Sequence, residues 1–520
     1  MAPRSVAQVV RTHAAEQASV VALHSGDEAI TYGELNRRAS QVANGLVAAG
    51  VQPQDHVAWL DKNSPEFFEL WFGAAKCNAV MTPVNWRLAA PEVAYIVNDA
   101  QATVFVIGKD FLPVLEAIEG QLPTVRLVLV VGDVEGRTSF SAWRDAQSDA
   151  DTDLDGGWED VAVQMYSSGT TGLPKGVMLS NKNLFVALPA YDEYMHFDGS
   201  SVNLIAMPLF HIGGGGWAMA GLYQGIPGVI VREVDPVAII GLIEKHRITH
   251  GFVVPALLQF MQMVPGVGDR DFSSLRCLLY GASPISTEVL VGSLRTFGGG
   301  FMQAYGLTET TGTVVALAPE DHDPAGPNAH RLRSAGKPIA GVEVRIVDPN
   351  TGTDVPVGEV GEIWVRSEQV MKGYWNLPAE TAKAVLPDGF FRTGDAGYLD
   401  ADGYVYIHDR VKDMIVSGGE NIYPAEVENA LMSHPGVADV AVIGVPSERW
   451  GETPKALIVP KAGATIDEAE VIEFCRERLA RFKCPTSVTV VAAIPRNPSG
   501  KVLKKDLRAP YWEGRERMVN

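Results

Sequence analysis

The chain is predicted to be an α/β protein with a large N-terminal domain of mostly parallel sheets covered by helices and a small C-terminal α+β domain. Three observations predict this. At 520 residues with 46% apolar content the chain is globular and too long for one ordinary core. Strand and helix patterns alternate through most of its length, which implies parallel strands joined by helical crossovers. Near residue 410 the texture changes to the charged, Gly-paired run "HDRVKDMIVSGGENIYP", and about a hundred residues with elements of their own follow.

Taken in order, "VVALHS" is the first strand, with a turn at Gly26 and Asp27. "TYGELNRRASQVANGLVAAG" is a helix in which Thr31 and Glu34 have capping-box spacing and Gly50 closes the far end. A second helix opens at Ser64 and Pro65, since proline suits a first helical turn. Beyond residue 410 come the helix "AEVENALMSH", the strands "DVAVIGV" and "KALIVP", the helix "DEAEVIEFCRERLARF" and the strand "VTVVAAI". The division is therefore residues 1–409 and 410–520, joined by a hinge, because no Pro/Ser-rich or low-complexity stretch intervenes.

Composition excludes several classes. A net charge of −19 without a basic, aromatic-laced stripe argues against nucleic acid as a partner. Cys77, Cys277, Cys475 and Cys484 form no CxxC pair, which argues against a disulfide scaffold or structural zinc and points to a reducing cytoplasm. No apolar run reaches 18 residues, and Arg4, Arg11 and Glu16 interrupt the N-terminus, so neither a transmembrane segment nor a signal core is expected. Peripheral contact with a membrane surface stays open, as does the choice between monomer and homodimer. Residues 476–508 run against the acidic trend, with nine lysines and arginines against two carboxylates, a field able to guide a polyanionic small molecule.

"SSGTTGLPKGV" at 167–177 follows the apolar-rich run "VAVQMY" and offers backbone N–H groups and hydroxyls to an anion, phosphate being the usual guest. It is not a Walker loop, because Lys175 follows Pro174, which has no N–H, and precedes Gly176. Four further motifs follow in order: "QAYGLTETTG" at 303–312, "FRTGD" at 391–395, "HDRVKDMIVSGGENIYPAEVE" at 408–428 and "PRNPSGKVLKKDL" at 495–507.

Together the five motifs resemble the core motifs of the adenylate-forming superfamily of acyl-CoA synthetases, firefly-type luciferases and adenylation domains of nonribosomal peptide synthetases. The resemblance covers nearly the whole chain and is closest in pattern to bacterial fatty acid CoA ligases. It implies an ATP-dependent enzyme of the acyl-CoA synthetase type: a carboxylate attacks the α-phosphate of ATP, pyrophosphate leaves, and a thiol then displaces AMP. ATP, Mg²⁺ and coenzyme A are the implied cofactors, and a small carboxylic acid is the partner.

Residue by residue, the resemblance implies that Ser167, Ser168, Gly169, Thr170, Thr171 and Gly172 grip the β- and γ-phosphates, with Lys175 either assisting or merely solvated. Tyr305 packs by adenine beside Gly306, Thr308 donates to the α-phosphate, and Glu309 helps hold Mg²⁺ as a hard oxygen ligand. Gly281, Ala282 and Ser283 in "YGASPIS" line the adenine and acyl sites. Asp395 and Arg410 contact the ribose, and Lys412 is the hinge about which the small domain moves. Lys501 brings a compact positive charge to the attacking carboxylate and the α-phosphate. Gly418 and Gly419 let a pantetheine arm pass. Arg481 and Lys483 meet coenzyme A phosphates, and Trp450 either packs on pantetheine or covers the small domain's core.

"PLFHIGGGGWAM" at 208–219 matches the motif whose histidine lies beside the carboxylate channel, so His211 is expected to gate or orient the acid. Gly213, Gly214 and their neighbours either open a path for a long chain or let Trp217 form its floor, and Val254 and Pro255 extend the wall. No lysine or arginine in "GGGGWAMAGLYQG" could pair a second carboxylate, which favours an apolar acid: a fatty acid first, with aryl or sterol side-chain acids behind it. Acyl loading of a carrier protein, a luciferase-type oxygenase and a non-catalytic acyl or nucleotide sensor are the alternatives. The sensor is disfavoured because Lys501, Glu309 and Asp395 all carry the chemically competent residue.

Overall fold

The computed structural model describes residues 2–167, 173–283, 285–349, 351–410, 413–417, 420–447, 449–497 and 502–513. Two large sheets carry the N-terminal part. The first has nine strands, six of them parallel at its centre: Gly300–Leu307, Cys277–Gly281, His250–Val253, Asn203–Ile205, Gly228–Ile230 and Val21–Ser25. The second has seven strands with five parallel: Val161–Ser167, Val80–Pro83, His56–Leu60, Val104–Gly108 and Leu127–Val131. Antiparallel strands close the edges of both.

The two sheets share one core. Val57 and Met165 of the second and Leu23 and Ile205 of the first join a cluster with residues of the helices Tyr32–Ala48, Pro65–Lys76 and Ile212–Tyr223. Phe67 stands edge-on to both Trp59 and Trp71, each at 5.7 Å, contacts worth about 1 kcal/mol apiece beyond the area they bury.

The alternating pattern also conceals an antiparallel sheet. Glu343–Val347, Gly361–Arg366, Phe391–Leu399 and Val405–Arg410 form a four-stranded layer of hairpins. After it the chain leaves one core for another: Val405 packs with Val315 and Ile363, whereas Ile415 packs with Val427, Val442, Ile458, Val471 and Cys475. The latter cluster belongs to a smaller domain in which Glu420–Ile422, Ile415–Ser417, Gly451–Pro460 and Val437–Ser447 form an antiparallel sheet and Ser487–Val490 adds a parallel strand.

Local chemistry accounts for most boundaries. Thr31 Oγ1 accepts from the Glu34 N–H at 3.2 Å, an N-cap worth about 1 kcal/mol. The reciprocal half of the expected capping box is absent, because the Glu34 carboxylate turns to Arg37 and Arg38 instead. Before this helix lies a short strand, Glu28–Thr31, which the sequence pattern did not disclose. Gly26 and Gly50 take left-handed backbone as turn residues. The expected helix through Phe482 stops at Arg476 and re-forms as a single 3₁₀ turn at Arg481–Lys483. Among the described residues no helix is long and apolar enough to cross a membrane.

Candidate nucleotide and acyl site

Several of the expected site residues lie at the carboxyl ends of parallel strands, where open α/β sheets place their ligands. In the nine-stranded sheet, Val254 follows His250–Val253, Gly281 ends its own strand beside Ala304, and Tyr305 and Gly306 lie on the neighbouring one. Asn203–Ile205 leads into the loop that carries His211. Two glycines here are required by contact: a side chain on Gly281 would lie 2.2 Å from the Ala304 carbonyl, and one on Gly306 would lie 1.7 Å from that of Gly312. Ala282, exposed, is held at φ 65°, a left-handed conformation that alanine rarely adopts. Ser283 beside it is half-buried.

The seven-stranded sheet delivers Ser167 from the opposite side. Ser167 Oγ donates to Glu309 Oε1 at 3.0 Å, and the Tyr374 hydroxyl donates to the same oxygen at 3.1 Å. Glu309 is buried, on a 3₁₀ turn, Thr308–Thr310, whose half-buried Thr308 hydroxyl takes no partner among the described residues. Ser168, Gly169, Thr170, Thr171 and Gly172 lie outside the described residues, but both flanks are fixed. Tyr166 donates to Asp99 at 2.6 Å, and Tyr95 donates to the Pro174 carbonyl at 3.3 Å. Lys175 is not a solvated lysine: it pairs with Glu380 at 2.7 Å and lies 4.9 Å from the centre of the Tyr374 ring.

The third sheet supplies Asp395, buried, which accepts from the Tyr305 hydroxyl at 2.8 Å. Asp395 leaves a local bulge: Glu362 pairs with Ala396 and Trp364 with Arg392, so Thr393, Gly394 and Asp395 together face Ile363. The backbone of Arg410 pairs with Asp395 on the next strand. Lys412 and Lys501 lie outside the described residues. Of the segment carrying Lys501, the flanks Arg496 and Val502 form an antiparallel bridge within the small domain.

The apolar side is built around Trp217. Its ring is buried against Tyr191, Phe197 and Phe252, and its Nε1–H donates to the Leu204 carbonyl at 3.0 Å. Met195, Met207, Leu279 and Met302 join the cluster, with Val254 at its margin and Pro255 buried in the first turn of the next helix. The glycines before Trp217 do not share one purpose. Gly214 is needed because a side chain there would lie 2.1 Å from the Pro208 carbonyl, and one on Gly213 would lie 2.9 Å from the Phe252 ring. Gly216 meets only the flexible end of Ile212, at 3.4 Å.

His211 stands at the start of the helix Ile212–Tyr223, and burial, with Arg87 nearby, pushes its pKa down to about 4. It is therefore neutral at pH 7. The loop before it is clamped by Asn63, whose amide donates to the Met207 carbonyl at 2.9 Å and whose oxygen accepts from the Leu209 N–H at 3.0 Å. Asn63, Arg87, Tyr374, Glu362 and Glu380 were not expected from sequence.

In the small domain, Trp450 is 47% exposed beneath Arg449 and does not cover the core. Lys483 pairs with Glu426 through both carboxylate oxygens at 2.8 Å. Arg481 starts the 3₁₀ turn that carries it. Gly418 and Gly419 lie outside the described residues.

Residues 10–375 match the family model of the AMP-binding enzyme, and residues 426–501 match that of the AMP-binding enzyme C-terminal domain. The chain belongs to the AMP-binding enzyme family. As a family member it is an adenylate-forming ligase of the acid–thiol type. It is 40% identical over 522 residues to a fatty acid–[acyl-carrier-protein] ligase, ScoC, of Streptomyces coeruleorubidus, covering 99% of this chain and 98% of that protein. It is 41% identical over 494 residues to a feruloyl-CoA synthase of an Amycolatopsis species, covering 94% and 96%. The ATP-bound crystal structure of MatB from Rhodopseudomonas palustris superposes with a TM-score of 0.89 at 32% identity, covering 97% of this AMP-binding enzyme and 99% of MatB.

Proposed function

We propose that the protein activates an apolar carboxylic acid, in the first instance a fatty acid, as its acyl adenylate and passes the acyl group to coenzyme A. The observation that carries this reading is the wall around Trp217. Its buried members include Met195, Met207, Trp217, Phe252, Leu279 and Met302, apolar side chains that offer no charge to pair a second ionised group on the acid. Burying such a group unpaired would cost several kcal/mol.

In this reading Ser167 and its loop take the β- and γ-phosphates, Thr308 donates to the α-phosphate, and Tyr305 and Asp395 hold the adenosine. Neutral His211 orients the acid by hydrogen bonding and supplies no charge. In this reading the cation is Lys501: an ammonium about 4 Å from the reacting anions is worth roughly 4 kcal/mol at an effective dielectric near 20. Glu309 fits Mg²⁺, being a hard oxygen donor with Oε1 already engaged by Ser167 and Tyr374. When bound, that ion would neutralise phosphate charge.

The thiol step follows by movement of the small domain about Lys412. The passage from the Val405 core to the Ile415 core supports a boundary near residue 410. Gly418 and Gly419 then admit pantetheine, with Trp450 and Arg481 at the outer end. The Glu426 ion pair makes Lys483 the weaker phosphate contact. A carrier-protein thiol is the second reading, favoured by the likeness to ScoC over nearly the whole chain. A pyrophosphate-release screen across fatty, aromatic and polycyclic acids tests the acid. Mass spectrometry of the product formed with coenzyme A alone, or with an acyl-carrier protein, tests the acceptor.

A further inference from the structure

We propose that Glu362 is a positioning residue for nucleotide recognition, acting through the backbone of Gly394 to aim Asp395. This rests on the reading that Asp395 takes the ribose hydroxyls. In the bulge, three residues oppose one, which interrupts the regular ladder there. Two side chains bond N–H groups of the bulge. Glu362 Oε1 accepts from the Gly394 N–H at 3.2 Å, and Thr393 Oγ1 accepts from the Asp395 N–H at 3.0 Å while donating to the Ile363 carbonyl at 2.7 Å.

Glu362 is itself held firmly. Its side chain is only 6% exposed, and Oε2 accepts from Trp364 Nε1 at 2.9 Å and from Arg392 at 3.0 Å and 3.2 Å. A carboxylate so buried is tolerable only because its oxygens are supplied with donors. The result is a rigid post on one strand that holds the left-handed Gly394, at φ 71°, on the next. Rotation of that peptide would swing the adjacent Asp395 away from Tyr305. A carboxylate that served only to satisfy Arg392 and Trp364 would need no bond to Gly394.

The test compares Michaelis constants for ATP and for 2′,3′-dideoxy-ATP in pyrophosphate release, using the full chain. Glu362→Gln should raise KM for ATP about tenfold and change KM for the dideoxy nucleotide less than about twofold, because there Asp395 has nothing to hold. An equal rise with both nucleotides overturns the proposal and leaves Glu362 a structural ion. If Glu362→Gln is recovered unfolded, Glu362→Asp carries the same comparison, keeping charge against Arg392 while drawing the carboxylate back from Gly394. Asp395→Ala is the control for the underlying reading. If it leaves the wild-type preference for ATP over the dideoxy nucleotide intact, the ribose role fails and this proposal fails with it. If it erases that preference while Glu362→Gln does not weaken it, only the proposal fails.

Discussion

Ser167 donates to Glu309 across 3.0 Å although the two residues are 142 positions apart, the first ending a strand of the seven-stranded sheet and the second on the 3₁₀ turn between two strands of the nine-stranded one. The bond joins the phosphate loop's first residue to the expected metal carboxylate, and Tyr374 reinforces it on the same oxygen. Replacing Tyr374 by Phe keeps the ring beside Lys175 and removes only the hydroxyl. The variant should raise the Mg²⁺ concentration for half-maximal pyrophosphate release by about threefold to tenfold, since a hydrogen bond to a charged group is worth about 1.5–3 kcal/mol and only part of it bears on the ion. A Mg²⁺ titration checks this, and an unmoved midpoint would refute it.

Lys175 pairs with the Glu380 carboxylate in the free protein and would meet the triphosphate in the proposed complex. Glu380, whose pKa its bonds to Lys175 and Lys383 push down to about 2, competes with the triphosphate for that ammonium. Glu380→Gln should therefore lower KM for ATP by about twofold to threefold and steepen its dependence on salt. Initial rates at two ionic strengths would show it. A raised KM would mean that Glu380 orients Lys175 rather than competing for it.

Lys501→Ala should lower adenylation about 10²-fold or more and leave thioester formation from supplied acyl adenylate largely intact. Rapid-quench measurement of each half-reaction decides this, and equal losses in both would remove Lys501 from the proposed role.

The glycines before Trp217 should respond unequally to alanine. Gly214→Ala drives a methyl into the Pro208 carbonyl and should destabilise the protein by about 2 kcal/mol or more while displacing the His211 loop. Gly216→Ala should be neutral or stabilise the helix by about 0.5–1 kcal/mol. Urea unfolding of both variants tests the contrast. Similar losses for the two would contradict it.

Burial pushes His56, His250 and His322 down to about 4 from an ordinary 6.5. Between those values the unfolded chain binds protons that the folded chain refuses. Stability is therefore complete above about pH 6.5 and falls as pH drops toward 4, by on the order of 1–3 kcal/mol per histidine. Calorimetric melting from pH 7 to pH 4.5 should show the decline, and His322→Gln should shallow it. A melting temperature that does not fall across this range would refute the assignment.

Much of the site was legible because its residues sit in runs whose composition is itself unusual. The Gly and hydroxyl-rich loop, "YGLTET" and "RTGD" could each be located before any contact was known, and Tyr305 and Asp395 do meet. The residues that hold them were hidden. Asn63, Tyr374 and Glu362 are ordinary types in ordinary strings, and only the fold brings them to Leu209, Glu309 and Gly394. The glycine run misled in part, since a sequence cannot distinguish a glycine that opens space from one, such as Gly214, that yields to a carbonyl. The hairpin layer at 343–410 was missed because short antiparallel strands leave a weaker periodic trace than strand and helix pairs.

Ala282, at φ 65° on the rim of the expected adenine pocket, sets stability against rigidity at a single residue. Its methyl group costs about 1 kcal/mol in that conformation, a strain that Ala282→Gly would relieve. The gain would come with a turn free to explore many shapes in place of one, so the more durable protein would present a less sharply defined rim to its nucleotide.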